Sequence, residues 1–128
     1  MTPLNSIEHA EVEFNKLADE IREKFYAWIY QTTPVSEEEH MIILDQFNSL
    51  FSTVSDQLKI WVKRGTPVSE EEQKCIVHMF IELFSCCDFN IVYLDKLEKI
   101  PDKFNKFCNI QADFLYCTYE MVLKDFNP

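Results

Sequence analysis

The stretch Thr33-Pro34-Val35-Ser36-Glu37-Glu38-Glu39 returns unchanged as Thr66-Pro67-Val68-Ser69-Glu70-Glu71-Glu72, 33 residues further on. A fixed interval of this length points to like structural units, each entered through the same local signal. The match runs outward from the seven residues. Trp28 precedes Trp61, Phe47 precedes Phe80, Leu50 precedes Leu83 and Phe51 precedes Phe84 by the same interval. Thr2-Pro3 opens the chain alike, and Ile100-Pro101 marks a fourth start without the threonine. Four similar units of about 33 residues therefore fill the chain.

Each start reads as the entry to a helix. Proline suits a first helical turn, where its missing N–H is not needed. Ser36 with Glu39, and Ser69 with Glu72, fit a capping box. Thr33 as the cap with Pro34 as the first helical residue is the alternative. Either way the three glutamates lie where the positive end of the helix dipole favours them.

Between the starts the apolar residues keep helical spacing. Ile7, Phe14, Ile21 and Trp28 recur every seven residues, and Phe47, Phe51, Val54, Leu58 and Trp61 follow in the second unit. The fourth unit offers Phe104, Phe107, Phe114, Leu115, Met121 and Val122 as its core stripe. The third differs, because Ile76, Val77, Met79, Phe80, Ile81 and Leu83 leave little polar face. A helix apolar nearly all round is either central or covered by something else. The expected fold is all-α: an antiparallel up-and-down four-helix bundle, one domain over 1–128, with helices near 4–31, 35–64, 68–98 and 102–126. Paired helices of the tetratricopeptide kind would need a turn inside each unit. The candidates, Ser52 to Asp56 and Ser85 to Asp88, contain neither glycine nor proline.

Charge bounds the partners. The net charge is −10, and no unit is basic. Direct nucleic-acid binding is not expected, since phosphate contacts supply most of that affinity. No apolar run reads as long enough to span a bilayer. Met1 to Ile7 lack the features of a signal peptide, so the expected location is cytoplasmic, without membrane attachment. The five cysteines, Cys75, Cys86, Cys87, Cys108 and Cys117, lie beside apolar residues and read as reduced, buried side chains. Cys86 and Cys117 come to similar heights on antiparallel helices, which makes a redox pair the alternative.

Catalytic patterns are scarce. Glu37-x-x-His40 and Cys75-x-x-His78 each place two potential ligands on one helical face, but His40 and His78 lie about 20 Å apart along the axis. His9 completes no site with them. No metal, cofactor or catalytic residue is expected, and the chain does not read as an enzyme. Adjacent glutamates point around a helix rather than to one spot, so the acidic triplets read as helix-start chemistry. The single glycine leaves no phosphate-cradling loop.

The surplus is apolar and aromatic. Tyr26 and Tyr30 flank Trp28, and Met79 and Ile81 lie off the main stripe of the third helix. Clustered apolar surface marks protein interfaces. The expected function is therefore an acidic, non-enzymatic protein-binding module, of the immunity-protein or inhibitor kind, that covers a basic surface of another protein. Its expected contact residues are Tyr26, Tyr30, Glu70, Glu71, Met79 and Ile81. The alternatives are a homo-oligomeric scaffold, dimerised through the third helix, and a bundle that holds a metal or small ligand.

Overall fold

The computed structural model describes residues 3–97 and 107–127. It contains four helices: α1 (Pro3–Tyr30), α2 (Glu37–Arg64), α3 (Glu70–Lys96) and α4 (Phe107–Phe126). There are no strands among the described residues. The starts expected at Thr2 and Pro101, and the side chains of Phe104, Phe107 and Cys108, lie outside the described residues.

The serines decide where α2 and α3 begin. Ser36 accepts from the Glu39 N–H at 3.2 Å, and Ser69 accepts from the Glu72 N–H at 3.1 Å. Pro34 and Pro67 therefore stand two residues ahead of the cap, and not at the first helical position. α2 ends at Gly65, whose φ of 68° suits a left-handed cap and whose N–H bonds the Trp61 carbonyl at 3.1 Å. α2 and α3 run unbroken through both serine clusters, so neither unit contains the turn that a helix pair requires.

Contacts between helices give their directions. Phe25 and Trp28 near the end of α1 meet Phe47 and His40 of α2, so these two helices are antiparallel. Glu11 meets His78, Ala18 meets Cys86 and Trp28 meets Tyr93, so α1 and α3 are parallel. Phe80 and Phe84 meet Tyr119 and Tyr116, so α3 and α4 are antiparallel. α1 and α3 share the most extensive packing, whereas the α2 and α3 backbones seldom come close although they follow one another in sequence, and long side chains link them near their ends. Neighbours in space run α1–α2–α4–α3.

This arrangement explains which stripes are buried. The seven-residue row of α1, Ile7, Phe14, Ile21 and Trp28, is core throughout. α3 packs against both α1 and α4, so its buried arc is wide enough to take in Met79, Cys86, Asn90 and Tyr93. Among the described residues, α4 packs chiefly on α2 and α3. Its core row is Ala112, Leu115, Tyr119 and Val122. Phe114 and Met121, expected in the core, stand outside at 70 % and 65 % exposure. Residues 114 and 115 sit about 100° apart on a helix, and α4 turns the row of Leu115, not that of Phe114, toward its neighbours.

α3 also departs from the membrane expectation. By length and composition it is apolar enough to cross a bilayer, contrary to the reading of the sequence. A core helix meets the same test. Here Ile76, Phe80, Leu83 and Cys87 are buried in the hydrophobic core, but only 39 % of the apolar window is buried, so the core accounts for the lesser part of the apolarity.

Candidate functional site

Two polar nodes hold the ends of the fold, one built on the second copy of the repeated heptapeptide and one beside the first. In the second copy Glu72 folds inward and is only 4 % exposed. Its carboxylate accepts from Trp61 Nε1 at 3.1 Å, from both Arg64 terminal nitrogens at 2.9 and 3.0 Å, and from the Ser69 N–H at 3.0 Å. Burial pushes this carboxyl up, but the Arg64 guanidinium and the Ser69 groups outweigh it and hold the pKa below its ordinary value. In the first copy the matching Glu39 is exposed. Gln31 stands where the second copy has Arg64, and donates instead to the Thr33 carbonyl at 2.9 Å. Nothing there draws Glu39 inward. Trp28 packs edge-on against His40 at 5.4 Å instead.

His40 is half-buried and hydrogen-bonded to the Tyr93 hydroxyl at 2.8 Å. Burial lowers its pKa, and Glu39 and Glu37 oppose this only in part. Lys96 of α3 reaches across to the end of α1. It donates to the Trp28 carbonyl at 3.1 Å, to that of Gln31 at 2.7 Å and to that of Ile29. These carbonyls would otherwise end the helix unsatisfied, since α1 carries no basic residue in its last turn. Asn127 does the matching task at the other end. Its side chain exchanges two hydrogen bonds with Val68, at 2.9 and 2.8 Å, and ties the end of α4 to the α2–α3 connection. Every residue in these nodes is used structurally.

Nucleophiles and ligands are not assembled. No group of three potential metal ligands occurs among the described residues. His78 faces Glu11 at 3.8 Å, far from His40. Burial pushes the Cys75 thiol up to about 11 and the Cys86 thiol up to about 12, so neither is primed as a thiolate. Cys86 donates to the Ala18 carbonyl at 3.4 Å against α1, while Cys117 is exposed on α4. The redox pair is not formed, and Cys117 is not the buried side chain expected of it.

The surface is more distinctive. The exposed side of α3 starts with Glu70 and Glu71 and continues through Lys74, Val77 and Ile81 to Val92. Glu70, Glu71, Lys74, Val77 and His78 line a groove of about 390 Å³ beside Tyr119 of α4. Ile81, one turn past Val77, is 58 % exposed. Tyr26 and Tyr30 are exposed at the far end of α1, their rings 4.9 Å apart. Of the six residues expected to contact a partner, Glu70, Glu71 and Ile81 share the α3 face. The two tyrosines form a separate pair at the other end. Met79 is fully buried and is removed from the surface set, because α1 covers its side of α3.

A second apolar surface escaped the sequence. α2 and α4 run parallel with a groove of about 450 Å³ between them, lined by Leu58, Lys59, Val62, Lys63, Phe114 and Leu115, among others. The doubled apolar row of α4 carried a signal for it, since only one of the two rows could enter the core.

Comparisons with protein-family models, with curated proteins and with solved structures gave no match.

Proposed function

We propose that this protein is a non-enzymatic binding module that docks another protein on the exposed side of α3. The frame for that surface is an up-and-down four-helix bundle of four similar units. The observation that carries the reading is the composition of the α3 face. A helix that serves only the core turns polar residues outward, yet Val77, Ile81 and Val92 stand exposed here behind the acids Glu70 and Glu71. Apolar surface flanked by charge is the anatomy of a protein interface. The matching partner carries an apolar patch with a basic rim, and the net charge of −10 would speed its capture. An inhibitor or immunity protein that acts in the cytoplasm by covering such a surface fits this chemistry.

The test is affinity capture from an extract of the native host, comparing the natural chain with an Ile81→Glu/Val92→Glu variant. Both positions are exposed, so the variant should fold with an unchanged helical signal. The reading expects one stoichiometric protein retained by the natural chain and lost by the variant. Equal capture by both chains overturns it.

A further inference from the structure

The chemistry proposed for the partner of α3, an apolar patch with a basic rim, is present on this molecule in the α2–α4 groove. Lys59 and Lys63 stand one turn apart on its rim. Val62 and Phe114, at 52 % and 70 % exposure, form its apolar walls. No ion pair to Lys59, Lys63, Glu70 or Glu71 occurs among the described residues.

The spacings match as well. Phe114 shares the groove with Ser55, eight residues before Lys63, which is about 12 Å along α2. Ile110, 68 % exposed, lies one turn further, at about 18 Å. On α3, Val77 lies about 10 Å and Ile81 about 16 Å from Glu70. With Glu70 and Glu71 set on Lys63 and Lys59, Val77 falls on Phe114 and Ile81 on Ile110. Lys74 then comes within reach of Asp56, which lies on the adjoining stretch of the same groove. In this pose the start of α3 meets the end of α2, so the helix dipoles also attract.

We infer that the α2–α4 groove is a docking site for the α3 face of a second copy of this chain. The inference rests on the reading of that face as a docking surface, and goes beyond it by adding a second copy of this chain as an occupant of the same face. The two surfaces differ, so the contact is head-to-tail and builds rings or open chains rather than a single symmetric dimer.

Light scattering across a concentration series supplies the test. The natural chain should grow in mass with concentration at low salt, and return to a monomer at high salt. Lys59→Glu/Lys63→Glu and Glu70→Lys/Glu71→Lys should each weaken association at least about tenfold, because like charges then meet across the contact. An equimolar mixture of the two variants should associate again, since each restores opposite charge to the other. That rescue cannot come from a folding defect. Phe114→Asp should weaken association without being rescued. A natural chain that stays monomeric throughout, variants that associate as well as it does, or a mixture that stays monomeric each overturns the inference. Loss of capture by Ile81→Glu/Val92→Glu is read on a different protein, so the α3 reading stands or falls separately.

Discussion

Two identical heptapeptides should differ sharply in what their third glutamate contributes. Glu72 is 4 % exposed and accepts from Trp61, from Arg64 twice and from the Ser69 N–H. Glu72→Gln keeps the shape but removes the charge, and sets an amide N–H₂ against the donors of Arg64 or Trp61. A hydrogen bond to a charged group contributes about 1.5–3 kcal/mol, and breaking a buried pair from one side costs about 3–5 kcal/mol. Arg64 keeps partial access to water, with 23 % of its side chain exposed, so the cost falls below that of a fully buried pair. We expect a loss of about 2–3 kcal/mol at pH 7. Glu39→Gln, at the same place in the same seven residues, should cost no more than about 0.5 kcal/mol, the change expected of a surface site. Urea unfolding of both variants, followed by circular dichroism, makes the comparison. Because the folded-state pKa of Glu72 is depressed, its contribution is present above the ordinary carboxyl value near 4.3 and is lost as pH falls below it. The gap between the two variants should therefore shrink by about pH 3. Equal costs at pH 7, or a Glu72→Gln cost below about 1 kcal/mol, would mean that the Glu72 network does not carry this stability.

Three further outcomes follow from the interior. His40 binds its proton less readily folded than unfolded, so its contribution is full above about 6.5 and falls as pH drops below that value. His40→Gln should flatten the decline in stability between pH 7 and 5, and an unchanged slope contradicts this. Thiol labelling of the folded protein should modify Cys117 early, with Cys86 and Cys87 reacting only on unfolding; mass mapping that shows Cys86 first contradicts the burial. Asn90 is buried with its side-chain oxygen unpaired among the described residues, so Asn90→Leu should raise stability by about 1–2 kcal/mol in urea unfolding, and a large loss would reveal a polar partner.

The parts of this fold that the sequence reveals are those set by neighbouring residues. Ser36 and Ser69 cap helices through atoms three residues away, so the motif alone announced them as candidates. The row Ile7, Phe14, Ile21 and Trp28 reads as core because one helical face repeats every seven residues. Positions decided by which helices become neighbours were not readable. Met79 looked superficial because the stripe centred on Phe80 and Leu83 seemed to define the core. It is buried because α3 lies beside α1, a helix 67 residues away at the Glu11–His78 contact. Phe114 and Met121 looked internal for the converse reason, since no described helix covers their side of α4. The identical acids of the two heptapeptides were read alike. The difference lies in Arg64 against Gln31, two residues before each motif, and it becomes visible only once Trp61 and Glu72 meet. The exposed α3 face was half-readable: Ile81, Glu70 and Glu71 stand out in the sequence as candidates, and Val92 and the groove opposite in chemistry do not.

The proposed function requires that the exposed side of α3 make contact with a partner protein. Site-specific photocrosslinking reads this directly. A benzophenone amino acid would be placed at Ile81, at Val92 and, as a control, at Ile60, which is equally exposed on α2 outside both grooves. Irradiation in the native extract should give a discrete protein adduct from positions 81 and 92 and none from position 60. Adducts of equal yield from all three positions, or none from position 81, would contradict the account.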